Sequence, residues 1–208
     1  MYTIYSIKGG LEMGTRNLTL VQLNNEYCVA QYGQWDGYPS YTGINILKFL
    51  RTMDKNKFIE KLKNTKFITK QDYHNYWMEL GIDIEKEKLV DISTSNKFDE
   101  LHPTLSRDMG FNVLNFINES DDIVNLWNDY TFAKDSLFCE WAYLINLDEN
   151  TLEVYKGFNK TKLIKEDRFY FDGYVSDSEY YPIKLVKTYS LDELPTDDDF
   201  VKELESDE

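Results

Sequence analysis

Arg16-Asn17-Leu18-Thr19-Leu20-Val21-Gln22-Leu23-Asn24-Asn25-Glu26-Tyr27-Cys28-Val29-Ala30-Gln31-Tyr32 reads as a β-hairpin. Two moderately alternating runs, Arg16 to Leu23 and Glu26 to Tyr32, flank Asn24-Asn25. Asparagine tolerates the positive φ that a tight primed turn demands, so this pair marks the reversal. Leu18, Leu20, Tyr27 and Val29 are expected to supply much of the apolar content of a sheet. A short strand is expected ahead of the hairpin, over Thr3 to Ile7, broken by Gly9-Gly10.

A second hairpin is expected from Phe138 to Leu147 and Leu152 to Tyr155 around Asp148-Glu149-Asn150-Thr151, with further strands over Phe169 to Tyr174 and Ile183 to Tyr189. Helices fill the middle of the chain. Thr42 is placed to cap one carrying Ile44, Leu47, Leu50 and Met53 at helical spacing. Asp54 is placed to cap a second with Phe58, Ile59 and Leu62 inward. Thr69 opens a third through Tyr73, Tyr76, Trp77 and Leu80, with Gly81 as its stop. Residues 82–101, with Ser93-Thr94-Ser95, read as an irregular excursion. Thr104 is expected to cap the clearest helix, striped by Leu105, Met109, Val113, Phe116 and Ile117. Strands and helices are segregated along the chain, which predicts an α+β fold with a largely antiparallel sheet and helices packed on it. Residues 1–191 are read as one domain and 192–208 as an acidic C-terminal tail.

Composition narrows the function classes. The chain has 208 residues, 42% of them hydrophobic and 15% aromatic, a richness in rings that argues against disorder. Its formal net charge is −14, which disfavours direct nucleic acid binding because cationic side chains must displace counterions. The last seventeen residues carry nine acids against Lys202 alone, predicting a solvated, frayed tail or a lure for a basic partner surface, with a last short helix expected from Asp197. Met1 to Lys8 lack the basic start and apolar core of a secretory signal, and no apolar run approaches the ~20 residues that span a bilayer. A cytoplasmic protein without membrane contact is expected, with Cys28 and Cys139 as buried reduced thiols. No oligomeric state is specified.

The hairpin runs into Ala30-Gln31-Tyr32-Gly33-Gln34-Trp35-Asp36-Gly37-Tyr38-Pro39-Ser40-Tyr41-Thr42-Gly43. Packing a core does not require this mixture of amides, a carboxylate, tyrosines and tryptophan among glycines. Gly33 and Gly37 permit sharp bends, and Pro39 biases Tyr38 to be extended. Gln31, Gln34 and Asp36 are candidate hydrogen-bonding groups for a polar ligand, with Trp35 or Tyr38 stacking on a flat one. The alternative is a tight turn whose side chains satisfy its own backbone. Arg107 and Asp108 fall in the first turn of the expected Thr104-capped helix. There Asp108 suits the helix dipole and Arg107 does not, which points to an ion pair or an anionic ligand. His102 reads as a packed loop residue.

The Ala30-to-Pro39 run resembles, together with Gly14-Thr15-Arg16-Asn17-Leu18, His102-Pro103-Thr104-Leu105-Ser106-Arg107-Asp108 and Glu140-Trp141-Ala142-Tyr143, a group of uncharacterised proteins scattered among phages, bacteria and fungi. That resemblance implies a shared fold and a shared pocket, and suggests a phage or prophage origin with the host cytoplasm as location. Gly14-Thr15 opening a strand and hairpin also resembles the start of an N-terminal-nucleophile hydrolase such as a proteasome β subunit. It implies Ntn-hydrolase-like layers and Thr15 as a nucleophile that uses its own freed α-amino group as base. The sequence departs from that pattern. Gln31 stands near the place of an aspartate, Lys48 only roughly matches a helper lysine, and fourteen residues precede Thr15.

Two histidines and two apolar-flanked cysteines make no zinc pattern, and Asp197-Asp198-Asp199 and Asp148-Glu149-Asn150 lack calcium-loop spacing, so neither metal nor cofactor is expected. No phosphate loop, nucleophile elbow or dinucleotide fingerprint occurs. The leading expectation is a non-catalytic binding protein, a phage-type accessory or anti-defence factor engaging a host protein or a small polar ligand. Gln31, Gln34, Trp35, Asp36, Tyr38, Arg16, Arg107 and Asp108 are its candidate contacts. The alternatives are an amide hydrolase using Thr15 and a structural protein of a virion or complex.

Overall fold

The computed structural model describes residues 14–87, 89–175 and 179–205. The expected strand over Thr3 to Ile7 lies outside them. The first hairpin forms as β1 (Asn17–Leu23) and β2 (Glu26–Gly33). Asn24 and Asn25 take φ of 55° and 61°, the left-handed pair that a two-residue primed turn needs. A π-helical turn, Pro39–Gly43, leads into α1 (Ile44–Thr52), followed by α2 (Lys55–Leu62), β3 (Thr65–Phe67), α3 (Lys70–Glu79) and α4 (Ile92–Leu101). Then come α5 (Val113–Glu119), β4 (Val124–Leu126), β5 (Trp141–Asn146), β6 (Thr151–Lys156), β7 (Lys184–Ser190) and α6 (Asp197–Glu205).

The architecture is α+β. A five-stranded sheet in the order β2-β1-β5-β6-β7 is antiparallel except where β1 and β5 run parallel. The parallel pair follows from the topology: the chain leaves β2, makes four helices and a β3–β4 ribbon on the way to α5 and beyond, and returns beside β1. β1 and β5 are buried almost throughout because both sheet faces are covered. One face, with Val21, Val29, Tyr143, Ile145 and Val154, packs on Ile46, Leu47, Phe58, Leu114, Ile117 and Phe200 from the helices. The other, with Leu18, Leu20, Ala142, Leu144 and Tyr155, is covered by the loop residues Leu163, Phe169 and Ile183. A smaller cluster joins Trp77, Phe98, Ile68 and Leu105, with Trp77 and Phe98 stacked at 4.0 Å.

Local signals decide several ends. The Asp54 side chain accepts from Lys57 N to cap α2, Thr69 and Asp72 form a capping box on α3, and Gly81 follows α3 at φ +81°. Elsewhere the structure corrects the sequence. Thr42 does not cap α1, because its hydroxyl donates to Asp36 O at 2.7 Å. Ser93 to Ser95 are helical, within α4, capped by Asp91. Thr104 caps no long helix: its hydroxyl donates to Asn125 O at 2.6 Å, 3-10 turns occupy Pro103–Leu105 and Gly110–Asn112, and α5 begins only at Val113. Arg107 and Asp108 therefore lie between two short turns instead of in a helix's first turn.

Phe169 to Tyr174 makes turns, not a strand, and Phe169 is drawn fully into the core. Over Asp197–Glu205 the acidic segment is helix α6, not a frayed tail, held by the buried Phe200 and an Arg51–Asp197 pair at 2.6 Å. The two stacked sheets of an N-terminal-nucleophile hydrolase are not seen among the described residues, whose second sheet is only the β3–β4 ribbon. Cys28 and Cys139 are free thiols, Cys139 fully buried. Among the described residues no helix is long and apolar enough to cross a membrane.

Candidate functional site

The segment after β2 is held by its backbone. A side-chain carbon at Gly33 would meet Asn17 Oδ1 at 2.6 Å, and one at Gly37 would meet Thr15 O at 2.8 Å, so both positions exclude larger residues. In their place Asn17 Nδ2 donates to Trp35 O (3.1 Å) and to Gly33 O (3.5 Å), and Gly37 N donates to Thr15 O (2.9 Å). Tyr143, from the middle of β5, donates its hydroxyl to Gly37 O at 2.8 Å. Asp36, at φ 50°, accepts on its carbonyl from both N and Oγ1 of Thr42. Tyr38 is extended, as its place before Pro39 predicts, and its carbonyl accepts from Tyr41 N and Gly43 N. Glu205 of α6 accepts from Ser40 N at 2.8 Å.

Backbone groups tied down in this way leave the side chains to point where alternation sends them. Gln31 lies on the helix-covered sheet face with Asn17 and Thr19 and is 2% exposed. Tyr32 and Gln34 turn to the other face, where Tyr32 OH donates to Gln34 Oε1 at 2.5 Å. The Arg16 guanidinium sits on that side too, 4.6 Å above the ring of Phe138. Gln34 N donates to Arg107 O (3.2 Å), and Trp35 Nε1 donates to Asp108 Oδ1 (2.9 Å). Trp35, Tyr38 and Tyr41 are 42%, 44% and 51% exposed, with the Tyr41 ring edge-on to Phe111.

Gln31, Gln34, Asp36 and Arg107 thus do not converge. Arg16, Gln34, Trp35, Arg107 and Asp108 gather around Tyr32, Asp36 and Tyr38 stand outward on the loop, and Gln31 is internal. Neither guanidinium is closely paired among the described residues: Arg107 Nε is 3.8 Å from an Asp108 carboxylate already taken by the indole. Burial pushes the Tyr32 phenol up against the opposing pull of Arg16 and Arg107. Burial also pushes Asp129 up to about 6, although its carboxylate accepts from Tyr32 N at 3.1 Å. Glu140, beside Arg16 N, is raised by burial as well.

Thr15 is 4% exposed beneath this loop, and Lys48 lies on the exposed face of α1. That burial does not suit a nucleophile. Two cavities, of about 310 and 180 Å³, lie elsewhere: the first by Ser136, Leu137 and Tyr174, the second beside the Glu153–Arg168 pair. His74, Asp83 and Glu85 bring three potential metal-ligand atoms within 4.8 Å of one another. Asp83 is already committed, to Lys86 Nζ at 2.6 Å and to Glu85 N at 3.2 Å. Sequence reasoning missed Asn17, Thr19, Tyr32 and Tyr143. The first three were within reach of the hairpin register, since Thr19 faces Gln31 and Asn17 faces Gly33. Tyr143 was not, because its partner is 106 residues away.

The chain matches no protein-family model, and neither a curated protein nor a solved structure shows significant similarity to it.

Proposed function

We propose that this chain is a non-catalytic binding protein that engages a partner protein through the rim of the 33–43 loop. The observation that carries the reading is the pairing of a fastened backbone with outward rings: Trp35, Tyr38 and Tyr41 stay exposed while Asn17, Thr15, Tyr143 and Glu205 hold the main chain beneath them. Aromatic side chains and arginine dominate the energetics of protein interfaces, and a pre-organised loop loses little entropy on docking. Arg16 and Arg107 supply the cations at the edge of the rim. A protein partner is favoured over a small polar ligand because neither the cavity by Ser136 and Tyr174 nor the one beside Glu153 and Arg168 is lined by these rings. The resemblance of the loop to phage, bacterial and fungal sequences supports a phage accessory or anti-defence role with a host protein as partner.

The test is affinity capture with the full chain and with a Trp35→Ala/Tyr38→Ala/Tyr41→Ala variant whose circular dichroism matches wild type. A host protein retained by wild type and lost by the variant supports the reading. A partner held equally by both overturns it.

A further inference from the structure

Behind the loop, on the helix-covered face of the first hairpin, three polar side chains lie inside the protein. Asn17, Thr19 and Gln31 are 1%, 0% and 2% exposed. Thr19 and Gln31 are cross-strand partners, Asn17 shares their face, and Thr19 has Tyr143 as its neighbour on β5. The two amides have defined orientations. Asn17 Nδ2 donates to Gly33 O and Trp35 O, and Gln31 Nε2 donates to Tyr32 O at 3.4 Å. Their oxygens are therefore the atoms left over, and among the described residues Asn17 Oδ1, Thr19 Oγ1 and Gln31 Oε1 have no hydrogen-bond partner.

Buried polar atoms are nearly always paired, and leaving one unpaired costs about 1–3 kcal/mol. Three such atoms on one face of one hairpin call for a common ligand. Their chemistry selects it: two oxygens can only accept, and one hydroxyl can donate. We propose that these three side chains bind an internal water molecule, which donates to Asn17 Oδ1 and Gln31 Oε1 and accepts from the Thr19 hydroxyl. Three hydrogen bonds is the usual complement of a buried water. The three atoms are uncharged, which suits water better than a divalent cation that draws on carboxylates. Because Asn17 also holds the Trp35 carbonyl, the water joins β1 and β2 to the seat of the loop. The inference stands whether or not the loop rim binds a partner.

Thr19→Val in the full chain keeps the shape and deletes the hydroxyl. If the hydroxyl serves a bound water, the thermal midpoint falls by about 2–4 °C. An unchanged or raised midpoint overturns the proposal, since a methyl in place of an unpaired buried hydroxyl relieves a penalty. A crystal structure of wild type gives the second measurement and holds even if the variant does not fold. An ordered density peak about 2.7–3.2 Å from all three oxygens supports the water, and a dry site refutes it.

Discussion

The hydroxyl of Tyr143, in the middle of β5, donates to the carbonyl of Gly37 at 2.8 Å and so pins the outer loop to the centre of the sheet. The two residues are 106 positions apart, and the contact exists only because β5 returns parallel to β1. The phenol is fully buried, and burial pushes its ionisation well above the ordinary tyrosine range, so it remains a donor across the accessible pH range. Tyr143→Phe keeps the ring and strands the Gly37 carbonyl. The expected loss is about 1–3 kcal/mol in urea unfolding, with faster amide exchange at residues 36–38.

Asp129 gives a pH signature. Its carboxyl is raised from an ordinary 3.8 to about 6 in the folded protein by burial. The folded state therefore holds the proton more tightly than the unfolded state. The resulting stability is fully present below pH 3.8 and is lost as pH rises through 6. The span is worth about 3 kcal/mol. Asp129→Asn keeps an acceptor for Tyr32 N and removes the titration. Wild type and variant are expected to converge near pH 4 and to separate by pH 7, with the variant more stable. Denaturation midpoints across that range check the difference curve, in which the other carboxylates cancel.

Arg168 and Glu153 form a part-buried pair, Arg168 Nη2 to Glu153 Oε1 at 2.7 Å and Nε to Oε2 at 2.9 Å. Burial alone would raise Glu153, but hydrogen bonds from Arg168, Tyr155 and Asn146 hold its carboxyl below the usual range. Arg168→Met leaves that carboxylate without its cation and is expected to cost about 3 kcal/mol. Adding Glu153→Leu should recover most of the loss, because the stranded charge goes with it. Thermal unfolding of wild type, both single variants and the double variant closes the cycle.

Phe200 makes α6 an integral part of the domain. Its ring is fully buried against Tyr189 at 5.3 Å, and its edge lies close to Gly43. Phe200→Ala is expected to destabilise the fold by about 3–5 kcal/mol. Asp198→Ala, on the same helix, should change stability by less than about 0.5 kcal/mol. Guanidinium titrations of the two variants test whether the acidic C-terminal segment is structural.

The first-hairpin turn is a sharper local test. Asn24 N and Asn25 N both donate to the Asp148 carboxylate, at 2.6 and 2.8 Å, which ties the turns of the two hairpins together. Asn25→Gly accepts the 61° φ without penalty and should be neutral within a few tenths of a kcal/mol. Asn25→Val should cost about 1–2 kcal/mol, because a β-branched residue is strained there. Asp148→Ala should loosen both turns, read as faster amide exchange at Asn24 and Asn25.

Short-range chemistry carried much of the fold. The Asn24-Asn25 reversal, the Asp54 and Thr69 caps, the Gly81 stop, the second hairpin and the start of α6 at Asp197 all rest on residues within a few positions of each other. Three of the errors share a cause, a distant partner that outcompetes the local signal. Thr42 and Thr104 look like caps, but each hydroxyl has a better acceptor elsewhere, Asp36 O and Asn125 O. Phe169 to Tyr174 looks like a strand because it is apolar and aromatic, yet it serves as a cover for the sheet.

The sequence by itself determined where the chain turns, which runs alternate, and that an amide- and ring-rich loop follows the first hairpin. Those features depend on backbone preferences and on a period of two, both local. Tertiary structure decided which way each loop side chain faces and what it meets. Gln31 goes inward with Thr19, Gln34 outward to Tyr32, and Trp35 across to Asp108, because sheet register and a parallel return from far along the chain set those distances. Composition cannot encode that geometry: the loop's partners, Tyr143 and Glu205, become neighbours only when the whole core closes.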